Sequence, residues 1–182
     1  MKRIGVSRAA TVAAVCAAVV LGAPAGVSAA SCGGSGAPSP NPGSQRNAFY
    51  GVAATSPCNA WAVGDYENTG GRYRPLVERW NGKAWTVQKS AEPSKGDTML
   101  LGVAALSAGD ARAVGSVPHP QGVMIEHWNG TAWTVQPTSP LDGTLFGDAA
   151  VSPSDAWAVG SYFKGSNEKT WVERWNGKAW FG

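Results

Sequence analysis

The sequence is poor in charge, in histidine and in cysteine. Only 15% of its 182 residues are charged, and it has two histidines and three cysteines. Lys2, Arg3 and Arg8 account for the whole net charge of +3, and removing them leaves twelve basic and twelve acidic side chains. A nucleic-acid-binding domain needs a basic patch on its folded surface. We therefore expect no nucleic-acid partner, and the profile is unusual for an intracellular enzyme.

The motifs of the common enzyme mechanisms are also missing. The sequence has no GxSxG, no defensible Ser-His-Asp spacing and no glycine-rich loop that would cradle a phosphate before a helix. Neither His119 nor His127 belongs to a discernible cluster of metal-ligating side chains. We predict no catalytic residue, no cofactor and no metal site, so the protein is not expected to be an enzyme.

The N-terminus has the three-part pattern of an export signal. Three basic residues lie within 1–8, an apolar stretch covers 9–21, and small residues cover 27–29. A transmembrane helix needs about 20 consecutive apolar residues, and Gly22, Pro24 and Gly26 interrupt this run early. We predict a signal peptide over 1–29, a secreted product with no transmembrane span, and a disordered Gly/Ser/Pro-rich linker over 30–47.

Two cysteines remain after the leader. Cys16 lies inside the apolar stretch, whereas Cys32 and Cys58 follow it. An even pair in an oxidising compartment predicts a disulfide between Cys32 and Cys58. The alternative is a lipid anchor at Cys32, because the four residues 29–32 weakly resemble a lipobox.

From residue 49 onward the chain repeats itself three times. The first motif reads FYGVAATSPCNAWAVG from Phe49, LLGVAALSAGDARAVG from Leu100 and LFGDAAVSPSDAWAVG from Leu145. The second reads VERWNGKAW from Val77, IEHWNGTAW from Ile125 and VERWNGKAW from Val172. Trp80, Trp128 and Trp175 are spaced by 48 and 47 residues. Such a period predicts one supersecondary unit per repeat.

Each unit is predicted to hold four short strands. In the first copy these include 51–55, 61–63 and 76–80, with a Pro-containing turn at 56–59. Asn81-Gly82 predicts a two-residue type I′ turn, which pairs Trp80 with Lys83 and Glu78 with Trp85. No helical periodicity follows the leader, so the mature protein should be all-β.

The two motifs together resemble the kelch-like, galactose-oxidase-type β-propeller repeats of secreted bacterial proteins. The resemblance covers 49–181, about three quarters of the chain. It implies blades of four antiparallel strands at about 48–95, 98–141 and 143–182, the last one truncated. Members of this group often serve as binding or display modules, and a few are enzymes. The sequence offers no set of copper ligands matching galactose oxidase.

Three blades are fewer than the four to eight that usually close a propeller. Three interpretations follow: a fragment of a larger propeller, a three-blade protomer that self-associates to close a six-blade ring, or an open arc. Three blades alone would leave two large apolar sheet faces uncovered, because each sheet buries itself against the next.

Three residues are candidates for ligand binding. Trp61 and Trp157 occupy the same place in their repeats, where the middle copy has Arg112. Exposed indole rings there would stack on sugars and Arg112 would add hydrogen bonds, whereas the alternative is simple packing between blades. The glutamates Glu78, Glu126 and Glu173 recur once per repeat, which favours a structural role over paired catalysis.

We therefore expect an exported, non-catalytic propeller segment that acts as a binding module for carbohydrate or protein. The loops at 65–74, 116–121 and 161–169 vary in length between repeats and would present the recognition surface. The alternative is a fragment of a carbohydrate-active or galactose-oxidase-like secreted enzyme whose catalytic part is absent.

Overall fold

A computed structural model describes Cys32 and residues 38–92, 95–118 and 122–182 of the chain. The predicted signal peptide at 1–29 lies outside the described residues. So does His119.

The described residues form three four-stranded antiparallel sheets and no helix, which confirms the all-β, blade-like prediction. The first sheet is β1 (Asn47–Ser56), β2 (Asn59–Glu67), β3 (Tyr73–Trp80) and β4 (Trp85–Gln88); the middle sheet is β5 (Met99–Ser107), β6 (Asp110–Ser116), β7 (Val123–Trp128) and β8 (Trp133–Val135); the third sheet is β9 (Gly143–Ser152), β10 (Asp155–Lys164), β11 (Asn167–Trp175) and β12 (Trp180–Phe181). In every sheet the strands lie side by side in chain order.

The sheets pack face to face in sequence, with β1 against β5 and β5 against β9. Glycines allow the close approach, since a Cβ on Gly102 would lie 2.7 Å from the Cα of Gly147. One apolar cluster fills the joint between the first and middle sheets, and a second fills the joint between the middle and third. The arrangement is a partial row of blades, in which the outer faces of the two end sheets have no sheet against them among the described residues.

The turn after β3 differs from the predicted one. Trp80 pairs with Trp85 and Glu78 with Val87, so the loop has four residues, 81–84. The Asn81 carboxamide oxygen accepts the backbone N–H groups of Lys83 and Ala84 at 2.9 and 3.0 Å. Within this loop only Gly82 has a positive φ, whereas a type I′ turn needs two such residues. The register moves by two residues, so the predicted sharing of faces along the hairpin is preserved.

The strands run longer than the sequence predicted. The expected loop at 161–169 is instead mostly a β10–β11 hairpin with Gly165 and Ser166 at its tip. Of the range predicted as a linker, the structure describes Cys32 and 38–47, and these residues contact the first sheet. The Ser44 N–H donates to the Glu67 carbonyl, and the Glu67 N–H donates to the Arg46 carbonyl.

Candidate interaction surface

The joint between the first and middle sheets is built around Trp61. Its ring lies 5.3 Å from that of Trp128 and 5.2 Å from that of Trp133, centroid to centroid, and no part of it is exposed. On the same face of the first sheet, the Arg79 guanidinium stacks over the Trp61 ring at 5.0 Å. Arg79 then crosses the joint and donates to the Ala108 carbonyl at 2.9 Å. Trp61 therefore packs between sheets and offers no free ring face to a ligand.

The joint between the middle and third sheets replaces this aromatic packing with charge. Arg112, in the place of Trp61, is 2% exposed and donates to the Pro153 carbonyl at 2.8 Å. Opposite it, Asp148 stands where the middle sheet has Val103, so a cation and an anion together replace a tryptophan and a valine. This joint also contains an aromatic ring, that of Trp175, whose centroid lies 5.7 Å from the Arg112 guanidinium.

Burial dominates the electrostatics of this second joint. The two carboxylate oxygens of Asp148 are shielded from solvent, and burial raises its pKa to about 7 despite the nearby Ala104 N–H and the Arg112 charge. Burial likewise lowers the pKa of Arg112, which Asp110 and Asp148 partly oppose. Asp110 also lies 3.0 Å from the ring nitrogen of His127. Arg112 thus bonds across the joint to the Pro153 carbonyl, whereas Asp110 pairs with Arg112 and His127 inside the middle sheet.

The third sheet exposes the face that the first sheet buries. Trp157, Val159 and Val172 are 41%, 47% and 48% exposed, whereas their repeat counterparts Trp61, Val63 and Val77 are each 0% exposed. We call this surface of the third sheet, with Arg174, the open face. Trp61, Arg112 and Trp157 thus lie at three successive faces rather than at one site, and Trp157 alone is accessible.

The open face keeps the internal geometry of the buried one. The Arg174 guanidinium stacks over Trp157 at 4.9 Å, against 5.0 Å for Arg79 over Trp61. Asp155 accepts from Arg174 at 3.0 Å, and this interaction raises the pKa of the arginine. Because the guanidinium covers one side of the Trp157 ring, a sugar would have only the other side on which to stack.

The three recurring glutamates hold the segment that precedes each sheet. Glu126 accepts from the Ser90 hydroxyl and the Ala91 N–H, both at 2.9 Å, and Glu173 accepts from the Ser139 N–H at 3.3 Å. Glu78 accepts from the Ser39 hydroxyl at 3.0 Å. The indole N–H groups of Trp80, Trp128 and Trp175 donate to turn carbonyls and not to these glutamates. The glutamates therefore have the structural role expected of them, with backbone and hydroxyl donors.

Burial raises the pKa of Glu126 to about 7, and it also raises the pKa of Glu78. The bonds from Ser90, Ala91 and Ser39 act in the opposite direction. Each glutamate is fully buried. A carboxyl group in this setting has no access to a substrate.

A disulfide joins Cys32 to Cys58, with 5.3 Å between their Cα atoms, as the sequence predicted. A sulfur in this bond cannot also carry a lipid. Both cysteines lie against Gly82, where an added Cβ would be 3.1 Å from the Cys32 Sγ. The bond therefore fixes the N-terminal segment at the end of the first sheet.

A cavity of about 390 Å³ opens on the outer face of the first sheet. Ser39, Val52, Ala62 and Trp85 are among its lining residues. Three of these correspond to Val103, Ala113 and Trp133, which lie in the core cluster that buries Trp61. The cavity thus matches, on the first sheet, the socket that holds Trp61 on the middle sheet. We call it the first-sheet socket.

Sequence reasoning missed several of the contacts described above. Asp148 interrupts the GVAA pattern that the first two repeats share, and this departure could have been paired with Arg112. The pairing of Arg79 with Trp61 could have been found from the recurrence of Arg174 with Trp157. No signal in the polar segment indicated that Ser39 would bond to Glu78.

The described residues contain no group of three or more histidine, cysteine or acidic residues that would hold a metal ion. They also contain no helix of the length and apolarity that a bilayer crossing requires.

No protein-family model matches this chain, and no curated protein matches it. The blade-like architecture therefore stands on the three sheets and their repeated joints.

Proposed function

We propose that this chain is an exported, non-enzymatic protein of the kelch-like propeller type, and that its open face binds a protein. One observation carries the proposal: a face that is fully buried in the first sheet is repeated on the third sheet and left about half exposed. Contiguous exposed apolar surface of this kind marks interaction sites in soluble proteins. A tryptophan with an arginine stacked on it is also typical of the residues that dominate protein interfaces.

Export agrees with the predicted signal peptide and with the Cys32–Cys58 disulfide, because disulfides form in oxidising compartments. The absence of catalysis is proposed because the buried glutamates hold the segments that precede the sheets, and Arg112 is engaged with Asp110 and the Pro153 carbonyl. The enzyme-fragment alternative predicts product release from soluble polysaccharides. Reproducible turnover by the purified chain would contradict the non-enzymatic proposal.

A protein ligand is favoured over a carbohydrate at the open face. Val159 and Val172 flank Trp157 with aliphatic surface, and Arg174 occupies one side of its ring. Sugar sites instead combine a free ring face with convergent polar groups. Soluble oligosaccharides should therefore leave the indole N–H resonance of Trp157 unshifted, and a saturable shift of that resonance would favour the glycan instead.

The accessibility of the open face is tested with bis-ANS, an anionic, amphiphilic dye that binds exposed apolar surface. At about 1 µM protein, the dye should bind the wild-type chain, and Val172→Glu should weaken binding by about tenfold, because a charge is placed in the apolar surface. Val135→Glu is the matched control, since Val135 is 43% exposed on β8, away from the open face. Equal dye binding by both variants and the wild type would refute the proposed function.

A further inference from the structure

The joints between sheets share a two-donor contact at one turn carbonyl. The Ala108 carbonyl accepts the Trp128 indole N–H at 3.2 Å from its own sheet and Arg79 at 2.9 Å from the preceding sheet. The Pro153 carbonyl accepts the Trp175 indole at 3.0 Å and Arg112 at 2.8 Å in the same way. A guanidinium from the preceding sheet is thus a feature of both joints.

The first sheet has the receiving half of this contact. The Pro57 carbonyl, at the same turn position, accepts the Trp80 indole N–H at 3.0 Å. In the part of the chain that the structure describes, no guanidinium donates to it. Trp80 and Trp85 lie 5.8 Å apart at 44°, nearly the geometry of Trp128 and Trp133 at 6.0 Å and 45°.

The open face has the donating half. Trp157 and Arg174 repeat the stacked pair of Trp61 and Arg79, and the first-sheet socket repeats the residues among which Trp61 is buried. The third element of a joint, the bond from a preceding serine to the buried glutamate, is already made at the first sheet by Ser39 and Glu78. The two end faces of one chain are therefore complementary halves of a joint that the chain itself forms twice.

We propose that the chain pairs head to tail with a second copy of itself. Trp157 of one copy enters the first-sheet socket of the other, and Arg174 donates to the Pro57 carbonyl. Two copies joined at both ends would make six blades, within the usual range for a closed ring, whereas a joint that does not close would extend into a filament. This inference rests on the proposed function and names its partner.

The test measures the mass of the full chain, exported through an oxidising compartment, by light scattering between about 1 and about 100 µM. We expect the mass to rise to that of a defined oligomer with concentration. Trp157→Ala removes the inserted ring, and Val52→Glu places a charge in the socket at a residue that is 71% exposed and so should not affect folding. Each variant should weaken self-association by about tenfold or more.

Mixing the two variants decides the geometry. The Trp157→Ala chain retains an intact socket and the Val52→Glu chain retains an intact tryptophan, so the equimolar mixture should regain a dimer that neither forms alone. Thr131→Glu, on an exposed loop of the middle sheet, is the control for an added charge and should associate as wild type does. Near-ultraviolet circular dichroism confirms that each variant is folded.

Two outcomes would overturn the inference. A wild-type chain that stays monomeric at about 100 µM excludes self-pairing. Undiminished association of the Val52→Glu chain alone would mean that two open faces pair with each other. In both cases the bis-ANS comparison still decides the proposed function separately, because dye binding that Val172→Glu weakens would leave the open face as a binding surface for another protein.

Discussion

The buried face of the first sheet and the open face of the third sheet have nearly the same residues and the same internal geometry. A tryptophan with an arginine stacked on it lies on both, at 5.0 Å in the first sheet and 4.9 Å in the third. Their burial differs completely, since Trp61 is 0% and Trp157 41% exposed. The repeat motif therefore determines the arrangement of side chains on each face, and the presence of a neighbouring sheet determines whether that face is buried or exposed.

The largest expected effect comes from removing the two tryptophans in turn. Trp61→Ala should destabilise the chain by about 3–5 kcal/mol, because it leaves a cavity among Trp128, Trp133 and their neighbours. Trp157→Ala should cost less than about 1 kcal/mol in the monomer, since its ring is half exposed. Urea unfolding of both variants at low protein concentration measures the difference. Equal losses would mean that the third-sheet face is covered in solution.

The stability of the folded chain should also depend on pH, through the buried Glu126 of the middle sheet. Its pKa is about 7 in the folded chain and near its ordinary value of 4.5 when unfolded. Below about pH 4.5 Glu126 is protonated in both the folded and the unfolded chain, and its full contribution to stability is present. Between about pH 4.5 and about pH 7 the unfolded chain releases this proton and the folded chain keeps it, so the free energy of unfolding falls as the pH rises. The stability lost across this window is about 3 kcal/mol.

Glu126→Gln should flatten that part of the stability profile, measured by urea unfolding between about pH 4 and about pH 8. Glu168→Gln is the matched control, because Glu168 is exposed on the β10–β11 hairpin. A profile that keeps its full slope in Glu126→Gln would show that another group carries the effect. Asp148 would then be the next residue to replace.

The joint between the middle and third sheets should depend on Arg112 and Asp148. Arg112→Ala should cost about 2–3 kcal/mol, since it removes the bond to the Pro153 carbonyl and the positive charge that acts on Asp110 and on the shielded Asp148. The double variant Arg112→Trp, Asp148→Val restores the residue types of the first joint and should recover part of this loss. A double-mutant cycle made of Arg112→Trp, Asp148→Val and the double variant measures the coupling between the two sites. Strictly additive effects would show that the two residues do not act as a pair.

The smallest expected effect is the difference in stability between lysine substitutions at the two stacked arginines, Arg79 and Arg174. Arg79→Lys should cost about 1 kcal/mol, because lysine keeps the charge but loses the planar fork that both stacks on Trp61 and reaches the Ala108 carbonyl. Arg174→Lys should leave the melting temperature of the monomer unchanged, since the Arg174–Asp155 pair is at the surface. A matching loss in both variants would contradict the distinction between the two faces.

Much of this fold could be predicted from the sequence. The repeated motifs located all three sheets, and the alternation of residues placed Leu76, Glu78 and Trp80 on one face. The predicted turn type was wrong because the Asn81 side chain accepts the N–H groups of the following residues. The loop can then close with a single positive φ, at Gly82. Dipeptide preference alone does not distinguish these two ways of closing a hairpin.

The candidate site was less predictable, for a physical reason. Trp61 and Trp157 occupy identical positions in nearly identical sequences, so nothing in either copy reports whether another sheet covers it. The charge that faces Arg112 from the next sheet was visible only as one departure from the repeat, Asp148, on the far side of a joint. Contacts between repeats depend on the packing of whole sheets, which local patterns do not encode.

The Cys32–Cys58 disulfide also has a mechanical consequence. The whole of β1 lies inside the covalent loop that this bond closes. Tension applied at Cys32, close to the predicted N-terminus of the exported chain, therefore enters the molecule at the β1–β2 turn, through a covalent bond. It bypasses the hydrogen bonds that would otherwise be unzipped one at a time from the end of β1, so the innermost strand of the first sheet carries no load.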